Sequence, residues 1–152
     1  MRRKAIEQNH LILAYPGLSY RDDQRYALLL LNSILGGGCS SRLFQELREK
    51  RGLCYTVYSY VADHADTGLL GIYTATGSEQ EAQALDAVRN IVSDLAEHGP
   101  TQEELDRARE QAQAGLLMGL ESVQSRMSTS APPAFCTAGC GRSMSFWSAM
   151  SR

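Results

Sequence analysis

No run of apolar residues approaches the ~18 to 20 that a membrane helix needs. The longest, Tyr26 to Leu35, is short and interrupted by Asn32 and Ser33, so no membrane partner is expected. Charge of one sign is also scarce: 15 Lys and Arg stand against 17 Asp and Glu, a net charge of -2, which argues against nucleic acid as a partner. Histidine is too sparse for a metal site. His10, His64 and His98 are widely separated, and neither His-Glu-x-x-His nor the inverted His-x-x-Glu-His occurs, so no metal ligand and no catalytic residue is assigned in this chain. Cysteines at 39, 54, 136 and 140 form neither paired Cys-x-x-Cys knuckles nor a dense disulfide scaffold, which points to reduced thiols and a cytoplasmic location. A Gly-x-Ser-x-Gly nucleophile elbow is missing. The glycine triplet at 36–38 runs into Cys39-Ser40-Ser41 rather than the Gly-Lys-Ser/Thr of a phosphate loop. After the basic Met1-Arg2-Arg3-Lys4 come Glu7, Gln8, Asn9 and His10 instead of an apolar signal region, so export from this end is not expected.

The composition, 43% hydrophobic and 21% charged over 152 residues, is that of one folded globular domain rather than a disordered chain. His10 to Tyr15 is a short apolar strand closed by a turn at Pro16-Gly17. Ser19-x-x-Asp22 then resembles a helix cap, and a helix is expected from about Asp22 to Leu35. Its broad apolar face comprises Ala27, Leu28, Leu30, Leu31, Ile34 and Leu35, and Gly36-Gly37-Gly38 ends it. A second helix starts near Ser40 or Ser41, buries Leu43, Phe44 and Leu47, and stops at Gly52. From Leu53 to about Ala62 the period becomes two, with Cys54, Thr56, Tyr58 and Tyr60 on one side and Tyr55, Val57, Ser59 and Val61 on the other. His64 to Gly68 reads as a hairpin loop that returns Leu69 to Ala75 as an antiparallel neighbour. Ser78-x-x-Glu81 and Thr101-x-x-Glu104 are capping boxes for two further helices. The first carries Leu85, Val88, Ile91, Val92 and Leu95 and ends at His98-Gly99-Pro100; the second runs from Gln102 to about Met127. The order β-α-α-β-β-α-α predicts an α+β fold, a mainly antiparallel sheet with helices packed on it.

One segment needs more than amphipathicity to explain it. Leu35-Gly36-Gly37-Gly38-Cys39-Ser40-Ser41-Arg42-Leu43-Phe44-Gln45-Glu46-Leu47-Arg48-Glu49 continues through Gly52-Leu53-Cys54-Tyr55, a charged helix handed over at a glycine to a strand. The run resembles the signature of the C-terminal homologous domain of pitrilysin/insulinase-type zinc peptidases, which include the mitochondrial processing peptidases. The resemblance extends from about Gln8 through Ser130. It implies a clamshell of two homologous halves, in which the N-terminal half carries the inverted zinc motif and the C-terminal half closes over the substrate. In that family an Arg and a Tyr seven residues later reach the active site and hydrogen-bond the peptide; here they match Arg48 and Tyr55. A guanidinium and a phenol are donors suited to peptide carbonyls and to a developing oxyanion.

The resemblance therefore implies a substrate-gripping, non-catalytic half of a zinc metalloendopeptidase, inactive alone. Its partners are a peptide substrate and a zinc-binding homologous half or partner subunit; no cofactor is expected in this chain. The alternative is a non-enzymatic scaffold or assembly subunit, or a decaying gene fragment, of the same family. The chain starts just before the first strand of the C-terminal half, so the metal-binding half is expected to be missing. Residues 1–130 form the expected peptidase-type domain, and 131–152 an aberrant tail, disordered or frameshifted. No acidic residue follows Glu121, and Ala131-Pro132-Pro133 leads into Cys, Gly, Ser and Met with a lone Trp147 and no periodicity. Cys136-x-x-x-Cys140 has helical spacing but no third ligand. Back-translation in a shifted frame restores an amphipathic, acid-containing continuation, so a one-base change near codon 131 is expected to reopen a family-like frame in the DNA.

Overall fold

A computed structural model describes residues 8–121, 123 and 124. The elements are β1 (Asn9–Gly17), α1 (Arg25–Gly36), a π-helix (Phe44–Lys50), β2 (Thr56–Asp63), β3 (Gly68–Thr76), α2 (Glu81–His98) and α3 (Gln102–Glu121). This is the expected order and the expected α+β class. The described residues fall into two units, one ending at Glu104 and holding the sheet and the first helices, the other beginning at Leu105 and continuing α3. The tail 131–152, its two cysteines and the expected end of the last helix near Met127 lie outside the described residues.

The sheet is antiparallel in the order β1-β3-β2, with Leu13 opposite Ile72 and Ser59 opposite Ile72 from the other side. Because side chains alternate across a pleated strand, this register puts Leu13, Tyr15, Leu70, Ile72 and Val57 on the face that meets the helices. Leu35, Leu43, Leu47, Leu53, Ala84, Ala87, Val88 and Leu95 complete that core. The opposite face carries His10, Tyr58, Tyr60 and Tyr73. Tyr58 stacks on Tyr73 at 4.8 Å between centroids, and His10 Nδ1 lies 2.7 Å from the Tyr73 hydroxyl.

Several local expectations are corrected. Pro16-Gly17 does not close β1 as a turn: both residues stay in the strand, opposite Leu69 and Gly68. Because β1 is an edge strand, the missing proline N–H can face outward without breaking the ladder. The turn before α1 is longer than expected. Asp22 Oδ1 accepts from the Gln24 N–H at 2.8 Å, an Asx-type turn that delays the helix to Arg25. Ala27 is exposed, so the buried stripe of α1 is narrower than its composition implied. The segment after the glycines winds as a π-helix with Leu43 and Leu47 fully buried but Phe44 only half-buried. Leu53 and Cys54 are both buried and Tyr55 is exposed, because the regular strand begins only at Thr56; burial alternates from there to Tyr60. Of the two capping boxes, only Thr101–Glu104 forms. Glu81 instead accepts from Asn9 Nδ2 at 2.7 Å, and α2 starts without a side-chain cap.

Candidate functional site

The turn between the π-helix and β2 sets the site. Gly52 has φ of 60°, a left-handed backbone that costs an L side chain roughly 1 kcal/mol or more. It reverses the chain so that the Leu53 N–H donates to the Leu47 carbonyl at 2.8 Å, tying the incoming strand to the helix it has just left. Leu53 and Cys54 go into the core, the Tyr55 N–H donates to the Ala75 carbonyl at 3.0 Å, and the Tyr55 side chain is left 70% exposed. A Cβ at position 52 would meet nothing within 4 Å, so the cost of Gly52→Ala is backbone strain alone. Gly52→Ala is expected to lower stability by about 1 kcal/mol and Gly52→Asn by less, since asparagine tolerates this region; urea midpoints of the two variants check the ranking.

The structure brings Arg48 and Tyr55 together. The Arg48 guanidinium carbon lies 5.8 Å from the Tyr55 ring centroid and 5.0 Å from that of Phe44. Arg48 is exposed, and among the described residues no carboxylate pairs with it. Below it, burial pushes the Cys54 thiol up, with the Thr74 hydroxyl and the Arg48 charge pulling the other way. That thiol is a buried neighbour of the site rather than a ready nucleophile.

What holds the π-helix in place escaped the sequence reading. Arg42, which is not among the residues that the second helix was expected to bury, is bidentate on Glu104 (Nε to Oε1 2.7 Å, Nη2 to Oε2 2.8 Å) and also donates to Asp94 Oδ2 at 2.8 Å and the Gly99 carbonyl at 3.2 Å. Glu104 in turn accepts the Thr101 N–H at 2.8 Å, so one carboxylate serves as both cap and clamp. No local pattern signals this, because the partners of Arg42 lie 52 and 62 residues away. The Arg42 hydrogen bonds hold the Glu104 carboxyl down at about 2 from an ordinary 4.5. A depressed carboxyl stabilises the fold above its unfolded value and loses that contribution as pH falls from about 4.5 toward 2. Solvent screening limits it to about 1 to 2 kcal/mol. Glu104→Gln is therefore expected to be less stable than the parent by that amount at pH 7, with the gap closing toward pH 2, in urea unfolding at both pH values.

An open depression of about 380 Å³ lies between the π-helix and α2, lined by Gln45, Glu46, Arg51, Asn90, Asp94 and their neighbours. It borders the Arg42 clamp and includes neither Arg48 nor Tyr55. The residues do not fit a zinc ion. His10 is engaged with Tyr73 on the open sheet face, His64 sits in the hairpin loop and His98 over Asp94 at the end of α2. Among the described residues no three His, Cys, Asp or Glu side chains converge for a metal, and no helix is long and apolar enough to cross a membrane.

The fold and sequence of this chain are similar to those of known proteins. Residues 1–112 match the family described as the peptidase M16 inactive domain. The chain is 47% identical over 124 residues to an uncharacterized zinc protease of Streptomyces coelicolor, covering 82% of this chain and 27% of that protein. It is 42% identical over 127 residues to an uncharacterized zinc protease, YmxG, of Bacillus subtilis, covering 84% and 31%. The crystal structure of a peptidase M16 inactive domain from Pseudomonas fluorescens superposes with a TM-score of 0.68 at 38% identity, over 70% of this chain and 26% of that one. The chain thus spans about a third or less of the curated relatives it matches. The chain belongs to the peptidase M16 family, as an inactive, C-terminal-type domain.

Proposed function

We propose that this chain is the substrate-gripping, non-catalytic half of an M16-type zinc endopeptidase and is inactive by itself, with Arg48 and Tyr55 donating hydrogen bonds to the bound peptide. The observation that carries the reading is the pairing of an unneutralised guanidinium with a 70% exposed tyrosine across one turn. Arg42 finds two carboxylates, and Tyr15 packs its ring against the core. Arg48 and Tyr55 do neither, which leaves their N–H and O–H groups for a ligand rich in carbonyls. The metal chemistry belongs to a zinc-binding half outside this chain, in the same polypeptide or a partner subunit. The exposed Cys39 and buried Cys54, both free thiols, suit a reducing compartment such as the cytoplasm.

The test is complementation. The chain is mixed with the part of the Streptomyces coelicolor relative that lies outside the 124 matched residues, and cleavage of a quenched fluorescent peptide is followed. Cleavage is expected in the mixture and not from the chain alone. Tyr55→Phe, which removes one hydroxyl from an exposed ring, is expected to lower kcat/KM by about tenfold with the melting temperature unchanged. Cleavage by the chain alone, or a Tyr55→Phe mixture as active as the parent, contradicts the proposal.

A further inference from the structure

We infer that Phe44 is a positioning residue for Arg48: its ring holds the guanidinium in place of a carboxylate and so keeps the N–H donors of Arg48 free for substrate. This rests on the reading of Arg48 above. Phe44 stands four residues before Arg48 in the π-helix, with Leu43 and Leu47, both fully buried, on either side of it in sequence. Its own ring is half-buried, with the guanidinium carbon 5.0 Å from its centroid. Tyr55 supplies a second ring at 5.8 Å but is 70% exposed, so Phe44 is the anchored member of the pair. The chemistry favours a ring over an acid here. A carboxylate would quench the charge and take two N–H groups in the guanidinium plane, whereas an aromatic face balances the charge from above that plane and takes none.

The test has an arm that needs no activity. In the chain labelled with nitrogen-15, the Arg48 Nε–H resonance is expected to move in Phe44→Leu, where the ring current is lost, and to stay near the parent position in Phe44→Tyr. In the complementation mixture, Phe44→Leu is expected to lower kcat/KM about two- to fivefold, the size of an exposed cation–π contact, and Phe44→Tyr to restore it. In an Arg48→Ala background Phe44→Leu is expected to have no further effect, because the group it positions is gone. An unmoved Arg48 resonance, a failed rescue by a folded Phe44→Tyr, or an equal loss in the Arg48→Ala background overturns the inference. Phe44→Met, also ringless and apolar, carries the same tests if Phe44→Leu does not fold. If Arg48→Ala itself leaves the mixture fully active, the proposed function fails, while the resonance still decides whether Phe44 holds Arg48.

Discussion

Arg48→Ala is expected to reduce kcat/KM of the complemented peptidase by about a hundredfold, the scale of removing one preorganised donor from a site of developing negative charge. The side chain is exposed and no carboxylate among the described residues is left unpaired by its removal, so the loss should come without unfolding. A stability change beyond about 0.5 kcal/mol is not expected for such a surface truncation. Arg48→Lys separates charge from shape. It keeps the cation but gives up the planar fork and its stacking on two rings, and should recover only part of the activity. A lysine variant as active as the parent would mean that charge alone matters at this position. An alanine variant with full activity would remove Arg48 from the site altogether.

Gly36→Ala is expected to cost about 2 to 4 kcal/mol, for a reason unrelated to helix termination. A Cβ there would lie 2.4 Å from the Ser59 amide nitrogen and 2.5 Å from Ser59 Oγ, far inside contact distance. The obstacle includes the backbone of β2, which cannot swing aside as a flexible side chain would. Relief requires α1 to lift from the strand, breaking the hydrogen bond from Ser59 Oγ to the Asn32 carbonyl and loosening Leu35, 1% exposed beneath it. Overpacking of this kind, with the side-chain and backbone shifts it forces, typically costs about 1 to 3 kcal/mol and occasionally more. Gly115→Ala is the matched control. It lies in α3 with nothing within 4 Å of the added carbon, and helix propensity predicts a gain of up to about 1 kcal/mol. Opposite signs for these two Gly→Ala changes, read from urea unfolding, would place the cost in the contact between α1 and β2.

The element order was legible because the apolar period switches cleanly between helical and strand spacing and because glycines mark two of the switches. What was not legible depended on partners distant in sequence. Glu81 forms no box with Ser78 because Asn9, 72 residues earlier, binds it. Arg42 looks solvent-facing until Asp94 and Glu104 are folded against it. Pro16 looks like a strand end unless β1 is known to be an edge. The π winding of Phe44–Lys50 leaves no trace in the amphipathic pattern, since an α-helix would bury Leu43 and Leu47 as well. Arg48 and Tyr55 were singled out by resemblance to a family motif, not by periodicity, which would have placed Tyr55 in the sheet. Phe44 was read as part of the buried stripe, and its role beside Arg48 emerges only from the distance between them.

A grip by Arg48 and Tyr55 requires the peptide to pass over the turn that joins the π-helix to β2, and crosslinking reads that directly. A photoreactive benzoylphenylalanine is installed in place of Tyr55, and separately in place of Arg89, which is 61% exposed on α2. Each is irradiated in the complemented mixture with a labelled peptide. Label attached through position 55 and not through position 89 is the predicted result. Equal labelling at both, or labelling at 89 alone, would contradict a substrate grip at Arg48 and Tyr55.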